Sequence, residues 1–269
     1  MPIVKFVHPG QEVLPKAGMS IEQGIFDDER ETRGIRYWNN EQHHCRKYLI
    51  SKGKHRSSAE EEDSEGFLTF WGEWEPQSRF KKLDAPTNRH PKYLHKPFLL
   101  KGSTGRHNTD PFVFGKRFWY TNCHQENYRF LRGLPIGSMI LFGTQYNNRF
   151  ALDTVFVVKD GYSPYQYIVK HKRDPAIFPE QLQIATLDHG DMAANHLQLG
   201  DLRFYRGKSP CDGAPFSFVP CGPSGAYEEA GEREEGHARI ELDCAAFGLP
   251  ENSEGCAQVR NQDVLNLWK

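Results

Sequence analysis

The chain has 269 residues and a formal net charge of −1, and 38% of its residues are hydrophobic and 13% aromatic. Because aliphatic residues are scarce, large rings must supply much of the core. No apolar run approaches the roughly 20 residues needed to cross a bilayer, and the N-terminal residues lack a signal-peptide pattern, which predicts a cytoplasmic protein with no membrane partner. We expect a single domain over residues 1–269 with long loop insertions, namely an acidic loop at 57–65, a basic loop at 79–107 and an acidic loop at 222–236.

The six cysteines are scattered without a CxxC pair, which predicts reduced thiols in a chain of this size. Cys123 and His124 could bind zinc together with His43, His44 or Cys45. Their spacings match no structural-zinc pattern, so inert thiols are the preferred interpretation. We predict no resident metal, and we expect Mg²⁺ only if the protein is an enzyme.

The charge is unevenly distributed along the chain. Residues 79–132 contain 12 Lys and Arg against 3 Asp and Glu, a local charge of +9, while the two flanks contain 10 against 14 and 12 against 18. The three parts sum to −4, +9 and −6, which gives −1. A basic segment inside an acidic protein indicates a phosphate-bearing ligand, and His90, His95 and His107 would add charge at lower pH. The alternative is that this segment only pairs with its acidic flanks.

In chain order, Pro2–Val7 is predicted to be a strand and residues 41–53 a helix, with Asn39 or Asn40 as its cap and Gly53 at its end. A second strand is predicted over 66–76. Its period of two places Trp71, Glu73 and Glu75 on one face and Phe70 and Trp74 on the other. The two carboxylates indicate either acid–base or metal chemistry, or charge pairing with neighbouring cations.

Residues 79–107 have almost no regular period, which predicts a long basic loop, and loops of this length are usually functional or disordered. Its end, Leu100–Asp110, reads LKGSTGRHNTD. Glycines and small hydroxyl residues of this kind suit a nest of backbone N–H groups around a phosphate. The order of residues is not that of a Walker A loop.

Three apolar runs follow, at Phe112–Tyr120, Met139–Phe142 and Phe150–Val158, and the turn residues between them predict a β-meander. Short helices are predicted near residues 180–185 and 188–197. The expected fold class is α+β, with a mainly antiparallel, partly closed β-sheet and short peripheral helices.

The segment Leu134–Gly143, LPIGSMILFG, followed by Phe150–Val158, FALDTVFVV, resembles the core hairpin of PUA-like domains of the EVE, ASCH and YTH types. Gly137 matches the glycine of that pattern, whereas Ser138 stands where those domains usually have an acidic residue. The resemblance implies a small barrel with an aromatic-lined pocket for a flipped or modified base. It also implies a role in bacterial or phage nucleic-acid modification or antiviral defence.

We therefore predict a protein that binds nucleic acid or a nucleotide through the basic segment, with cations on the phosphates and aromatic rings stacked on a base. The site is expected between the loop 101–110 and Trp119, with Trp71 or Trp74 as the opposite wall, unless these rings belong to the core. The candidate ligand-binding residues are Trp71, Trp74, Arg106, Asn108, Lys116, Arg117, Trp119, Tyr120 and Asn122.

Two other classes of function stay open at this point. The protein is a hydrolase or transferase acting on nucleotides or nucleic acid if carboxylates and imidazoles near the cations activate water. The candidate catalytic residues are Glu73, Glu75, His107, Asp110 and His124. The other class is a scaffold or partner-binding subunit, whose aromatic surface would be buried against another protein.

Overall fold

A computed structural model of the chain describes residues 1–7, 46–56, 61–73, 78–82, 93–97, 111–113, 117–121, 128–146, 149–162, 203–223, 240–250 and 256–260. These residues are rich in strands: β1 (Pro2–Val7), β2 (Arg46–His55), β3 (Ser64–Glu73), β4 (Ser78–Lys82), β5 (Tyr93–Pro97), β6 (Trp119–Thr121), β7 (Met139–Tyr146), β8 (Arg149–Tyr162), β9 (Phe204–Gly207), β10 (Gly222–Pro223), β11 (Ile240–Leu242) and β12 (Cys256–Arg260).

The chain divides into two compact units. Unit 1 consists of Met1–Pro9, Arg106–Val219 and Glu241–Lys269, and unit 2 of Gly10–Gly105 and Pro220–Ile240. Each unit has its own mixed sheet. A single domain over residues 1–269 stays a prediction.

The sheet of unit 1 has the strand order β12-β1-β7-β8-β9-β6, and β11 also pairs with β8. β1 runs parallel to β7, whereas β7 and β8 form an antiparallel hairpin. The end strands β12 and β6 are not paired with each other in the described part of the chain, so no closed barrel is seen there. The described residues thus show a strand-rich fold with a mixed sheet, which fits the predicted α+β class only loosely.

The period of two in the central strands sorts their side chains into two buried clusters, because successive residues of a strand point to opposite faces. Ile3, Leu141 and Val157 belong to one cluster. The second cluster contains their chain neighbours Val4 and Ile140. Both faces of β1, β7 and β8 are therefore buried, and this explains why these strands read as continuous apolar runs.

The predicted meander is only half right. Met139–Phe142 and Phe150–Val158 do form the β7–β8 hairpin, but the run Phe112–Tyr120 is not one strand. Phe112 and Trp119 pair with each other, with N···O distances of 2.7 and 2.8 Å, so the run folds back on itself. Only its end enters β6, which pairs with β9 and not with β7.

The turn before β7 explains why glycine and serine occupy positions 137 and 138. Gly137 has φ 86°, a conformation that favours glycine, and its N–H donates to Val158 O at 2.8 Å. Ser138 is buried, and its hydroxyl donates to Pro135 O at 2.6 Å. A carboxylate at position 138 would face that carbonyl oxygen without a proton to donate, which is a physical reason for serine here.

Unit 2 contains a sheet of order β10-β3-β2-β5-β4. The strand predicted over 66–76 is confirmed for residues 66–73 as part of β3, which begins at Ser64, inside the predicted acidic loop 57–65, and residues 74–76 lie outside the described residues. The prediction of a basic loop over 79–107 is partly wrong, because β4 and β5 form an antiparallel pair in this range. Its Pro and Gly residues obscured two strands of five residues each.

The helix predicted over 41–53 is also wrong, because residues from Arg46 onward form β2. β2 pairs with β3 through ten consecutive residues, so its backbone hydrogen bonds go to another strand and not along a helix. The local cap and stop signals for a helix were overridden by this pairing. The helices predicted near 180–185 and 188–197 lie outside the described residues.

Helical structure in the described ranges is limited to three short 3-10 turns, at Arg129–Gly133, Pro210–Asp212 and Ala245–Phe247. None of the described helices has the length and apolar character needed to span a membrane.

Candidate functional site

Most of the predicted site residues lie outside the described residues. This applies to the candidate catalytic residues Glu75, His107, Asp110 and His124, and to the candidate ligand-binding residues Trp74, Arg106, Asn108, Lys116 and Asn122. The loop 101–110 lies outside them as well. A site that includes these residues stays a prediction.

The predicted stacking rings that the structure describes are buried. Trp119 is 1% exposed, Tyr120 0% and Trp71 6%. The Tyr120 ring lies 5.1 Å from that of Phe142 and is stacked on that of Tyr205 at 6.1 Å. This burial favours the core interpretation for all three rings, because a base cannot stack on a ring that has no accessible face. The structure therefore does not show Trp71, Trp119 and Tyr120 as an accessible base-stacking surface.

Arg117 is exposed, unlike the rings that follow it in the chain. Of the candidate ligand-binding residues in the described ranges, Arg117 is the one that solvent reaches. It comes two residues before Trp119, where the chain enters β6. The cation of this segment is accessible while the neighbouring indole is part of the core.

Glu73 ends β3 and lies directly opposite Arg46 of β2 in the antiparallel register. Opposite charges at such positions attract each other across a sheet. Lys54 and Glu65 occupy a second opposed pair of the same two strands. The register thus places an arginine opposite Glu73, which suits the charge-pairing alternative, and the acid–base or metal role of Glu73 stays a prediction.

The antiparallel pair of β4 and β5 brings like charges together. Arg79 of β4 lies directly opposite Lys96 of β5. Lys81 is two residues beyond Arg79 and therefore belongs to the same face of the strand. β4 reads SRFKK and β5 reads YLHKP, so neither strand contains an acidic residue. Like charges directly opposite each other destabilise a sheet, which is unusual unless an anion or another feature compensates.

Paired residues of neighbouring strands lie on the same face of the sheet, so the register assigns the residues of β2 to β5 to two faces. Leu49 of β2 is level with His95 of β5, and it also lies opposite Phe70 of β3. His95 lies opposite Phe80 of β4, so these four residues share what we call face B. Face A is the opposite face, and its residues in β4, β5, β2 and β3 include Arg79, Lys81, Lys96, Tyr48, Ile50, Lys52 and Trp71.

Both faces of β3 have buried side chains, Leu68 and Phe70 on face B and Trp71 on face A. Phe70 and Leu68 are each 6% exposed. A Cβ atom at Gly53 would come within 3.1 Å of the Leu68 side chain, so β2 and β3 are closely packed there. Face A of the β4–β5 pair contains three cations in this register, and we call Arg79, Lys81 and Lys96 the cationic site. It is the main functional candidate in the described residues, and sequence reasoning missed it by treating 79–107 as a loop.

Unit 1 contains a second group of charges at the end of β8, and here the charges are balanced. Lys159 forms an ion pair with Asp212, and Asp160 forms one with Arg206. Hydrogen bonds from Lys159 and from the backbone and side chain of Ser209 lower the pKa of Asp212 well below its usual value. Since each cation has an acidic partner, this group is better explained as structural.

Two ionisable side chains are buried in the centre of the unit 1 sheet. Lys5 is 0% exposed, and its Nζ donates to Pro250 O at 2.5 Å and lies 5.2 Å from the centre of the Phe150 ring. Asp153 is 2% exposed and is the extra residue of a β-bulge, because Thr154 and Leu152 on either side of it pair with successive residues of β7. Neither residue is accessible to a ligand.

Within the described ranges, no three His, Cys, Asp or Glu residues come together in a way that could hold a metal ion. Comparison of the chain with protein-family models, with curated proteins and with solved structures finds no match.

Proposed function

We propose that the protein binds nucleic acid or a nucleotide through the cationic site, with Arg79, Lys81 and Lys96 in contact with phosphate oxygens. The observation that carries the proposal is the direct opposition of Arg79 and Lys96 in a strand pair without acidic residues. A phosphate between two opposed cations converts their repulsion into two attractive contacts. The +9 charge of residues 79–132, to which all three residues belong, supports the same class of ligand.

A structural explanation for the same cations is that they protect the sheet. β4 is the last strand of the described sheet, and Lys residues on edge strands discourage pairing with other chains. Protection of the edge requires charged residues on the strand, but it does not depend on which face of the sheet carries them. A ligand-binding role, by contrast, depends on face A. The two explanations are therefore separable by substitution.

Binding is measured by fluorescence anisotropy with a labelled single-stranded oligonucleotide at about 50 mM and about 200 mM salt. The Arg79→Ala/Lys81→Ala/Lys96→Ala variant is expected to bind roughly a hundredfold more weakly at the lower salt. Each phosphate contact that is lost reduces the number of counterions that binding releases, and this release favours binding. Its affinity should also depend less steeply on salt.

The matched control compares Lys81→Ala with Lys82→Ala, which remove the same charge from adjacent residues of β4 on opposite faces. Lys81→Ala should weaken binding and Lys82→Ala should leave it nearly unchanged. Equal effects of the two substitutions, or native affinity in the triple variant, would overturn the proposal. Circular dichroism of each variant excludes loss of fold as the cause.

The PUA-like resemblance, with its role in nucleic-acid modification or defence, is retained as part of the proposal for unit 1. The turn with Gly137 at φ 86° and the antiparallel β7–β8 hairpin agree with the pattern that suggested it. A pocket for a flipped or modified base in that unit would have to be formed by residues other than Trp119 and Tyr120, because both are buried.

A further inference from the structure

Two cations of unit 1, Arg117 and Lys208, are neighbours at the end of the β6–β9 pair. The antiparallel register of this pair continues by one residue beyond β6, because the N–H of Gly207 donates to Phe118 O at 2.8 Å. Arg117 and Lys208 are the next residues of the two segments beyond this hydrogen bond. Since paired strands are about 5 Å apart, the two cations extend from adjacent backbone positions.

The backbone around Lys208 is fixed by its neighbours. Its N–H donates to Val157 O at 2.7 Å, and its carbonyl oxygen accepts from the N–H of Ser217 at 2.9 Å. A Cβ atom at Gly207 would come within 3.0 Å of the Cβ atom of Phe118, so the two segments are closely packed at this point. The position of Lys208 is therefore set before any ligand binds, which reduces the entropy cost of binding.

The acidic residues of the adjoining strand and turn are engaged by other cations. Asp160 of β8 forms an ion pair with Arg206, and Asp212 forms one with Lys159. The Asp212 carboxylate also accepts hydrogen bonds from the N–H and the hydroxyl of Ser209, at 2.9 and 2.8 Å. Both carboxylates thus neutralise cations other than Arg117 and Lys208.

Arg117 and Lys208, by contrast, form no ion pair with any residue in the described ranges. The group at this end of the β6–β9 pair has four cations against two carboxylates, which leaves a charge of +2. Arg117 is exposed and Lys208 is half-buried, so a ligand can reach both side chains. Two adjacent cations repel each other, and an anion that contacts both replaces this repulsion with two attractive contacts.

We infer that Arg117 and Lys208 form a phosphate-binding site in unit 1 that shares no residue with the cationic site of unit 2. The Arg117 guanidinium binds two oxygens of one phosphate group in a bidentate manner, and the Lys208 ammonium group supplies a point charge to a third oxygen. The phosphate belongs either to a nucleic-acid backbone or to a small phosphorylated molecule. The inference goes beyond the proposed function, because it concerns a different set of residues.

The test uses the Arg79→Ala/Lys81→Ala/Lys96→Ala variant as background, because the cationic site is removed in it. Isothermal titration calorimetry with inorganic phosphate at low ionic strength, where screening is weak, should still show binding. Addition of Arg117→Ala and Lys208→Ala should weaken this binding about tenfold or more, since each substitution removes a charge-assisted contact. Arg117→Lys should restore the affinity only in part, because lysine keeps the charge but not the bidentate geometry.

Arg149→Ala is the matched control. Arg149 is another exposed arginine of unit 1, but its guanidinium pairs with Glu241 at 2.9 Å, so its removal should leave phosphate binding unchanged. Lys208→Gln repeats the test with a polar side chain in case alanine disturbs the fold at this half-buried position. Absence of phosphate binding in the background variant, or equal effects of the Arg117 and Arg149 substitutions, would overturn the inference.

A single-stranded oligonucleotide then identifies the source of the phosphate. If Arg117→Ala/Lys208→Ala weakens oligonucleotide binding in the otherwise native chain, the phosphate is that of a nucleic-acid backbone. If oligonucleotide binding is unchanged while inorganic phosphate binding is lost, the ligand is a small phosphorylated molecule. Failure of the phosphate titration leaves the proposed function standing, because that function is measured with an oligonucleotide on substitutions of Arg79, Lys81 and Lys96.

Discussion

Arg79 and Lys96 lie directly opposite each other in the β4–β5 register, on a strand pair whose sequences contain no carboxylate. In the absence of a ligand such a pair costs stability, because like charges at opposed positions repel. The cationic site is therefore expected to show the opposition between stability and function that is common at binding sites.

Arg79→Glu should stabilise the protein while it abolishes binding at the cationic site. The substitution replaces a repulsive pair with an attractive one, and we expect a gain of about 0.5 kcal/mol in the free energy of unfolding. The gain should shrink at high salt, which screens the charges. Urea unfolding at two salt concentrations measures it. Lys82→Glu, opposite Tyr93, is the control, and a loss of stability specific to Arg79→Glu would contradict the prediction.

Tyr205→Phe should destabilise unit 1 by about 1–3 kcal/mol, the cost of leaving buried polar groups without a hydrogen bond. The Tyr205 hydroxyl donates to Leu131 O at 2.6 Å and accepts from Leu134 N–H at 3.1 Å, so it fastens the turn after Arg129 to β9. Denaturant unfolding gives the change in free energy. Tyr128→Phe, at a half-buried ring of the same aromatic cluster, should have a clearly smaller effect.

The same substitution should change the alkaline limb of the stability curve. Burial raises the pKa of Tyr205 above its ordinary value of 10.0. The unfolded chain then loses this proton at a lower pH than the folded protein does, so the stabilising contribution is complete below pH 10.0 and is lost as the pH rises above it. Tyr205→Phe should decline less steeply above that pH, and parallel curves for both proteins would contradict this expectation.

Asp212→Asn should lower stability at neutral pH by about 0.5–1 kcal/mol, because it removes the charge that pairs with Lys159. The pKa of Asp212 lies below its ordinary value of 3.8, owing first to Lys159 and then to Ser209. The contribution is thus present above pH 3.8 and is lost as the pH falls through the lower, folded value. The difference between the two proteins should narrow below pH 3.8. Asp243→Asn, in the cap of the turn at Ala245, serves as the control.

Gly143→Ala should destabilise unit 1 by about 1–3 kcal/mol through overpacking. A Cβ atom at this position would overlap the carbonyl oxygen of Ala151 and come within 2.6 Å of Cζ of Phe150. This close approach lies next to the shift in the β7–β8 register between Phe142 and Gly143. Gly133→Ala is the control, since a Cβ atom there meets nothing within 4 Å. Equal thermal midpoints for the two variants would show that the hairpin adapts.

The local signals in the sequence determined the strands whose two faces are both buried, because such strands read as apolar runs. Pro2–Val7 and the hairpin after Gly137 were predicted correctly because the apolar residues that become buried follow one another in the sequence. The basic character of residues 79–132 is likewise a property of composition alone.

The tertiary structure decided which segments became neighbours. Residues 46–55 contain helix signals, but ten backbone pairs with β3 make them a strand, because hydrogen bonds to another segment outweigh small local preferences. The parallel pairing of β2 with β5 places Leu49 level with His95, although more than forty residues of chain separate them. The tertiary structure also decided that Trp119 and Tyr120 are buried. From the sequence alone, an aromatic residue suits a core position and a ligand-binding position equally well.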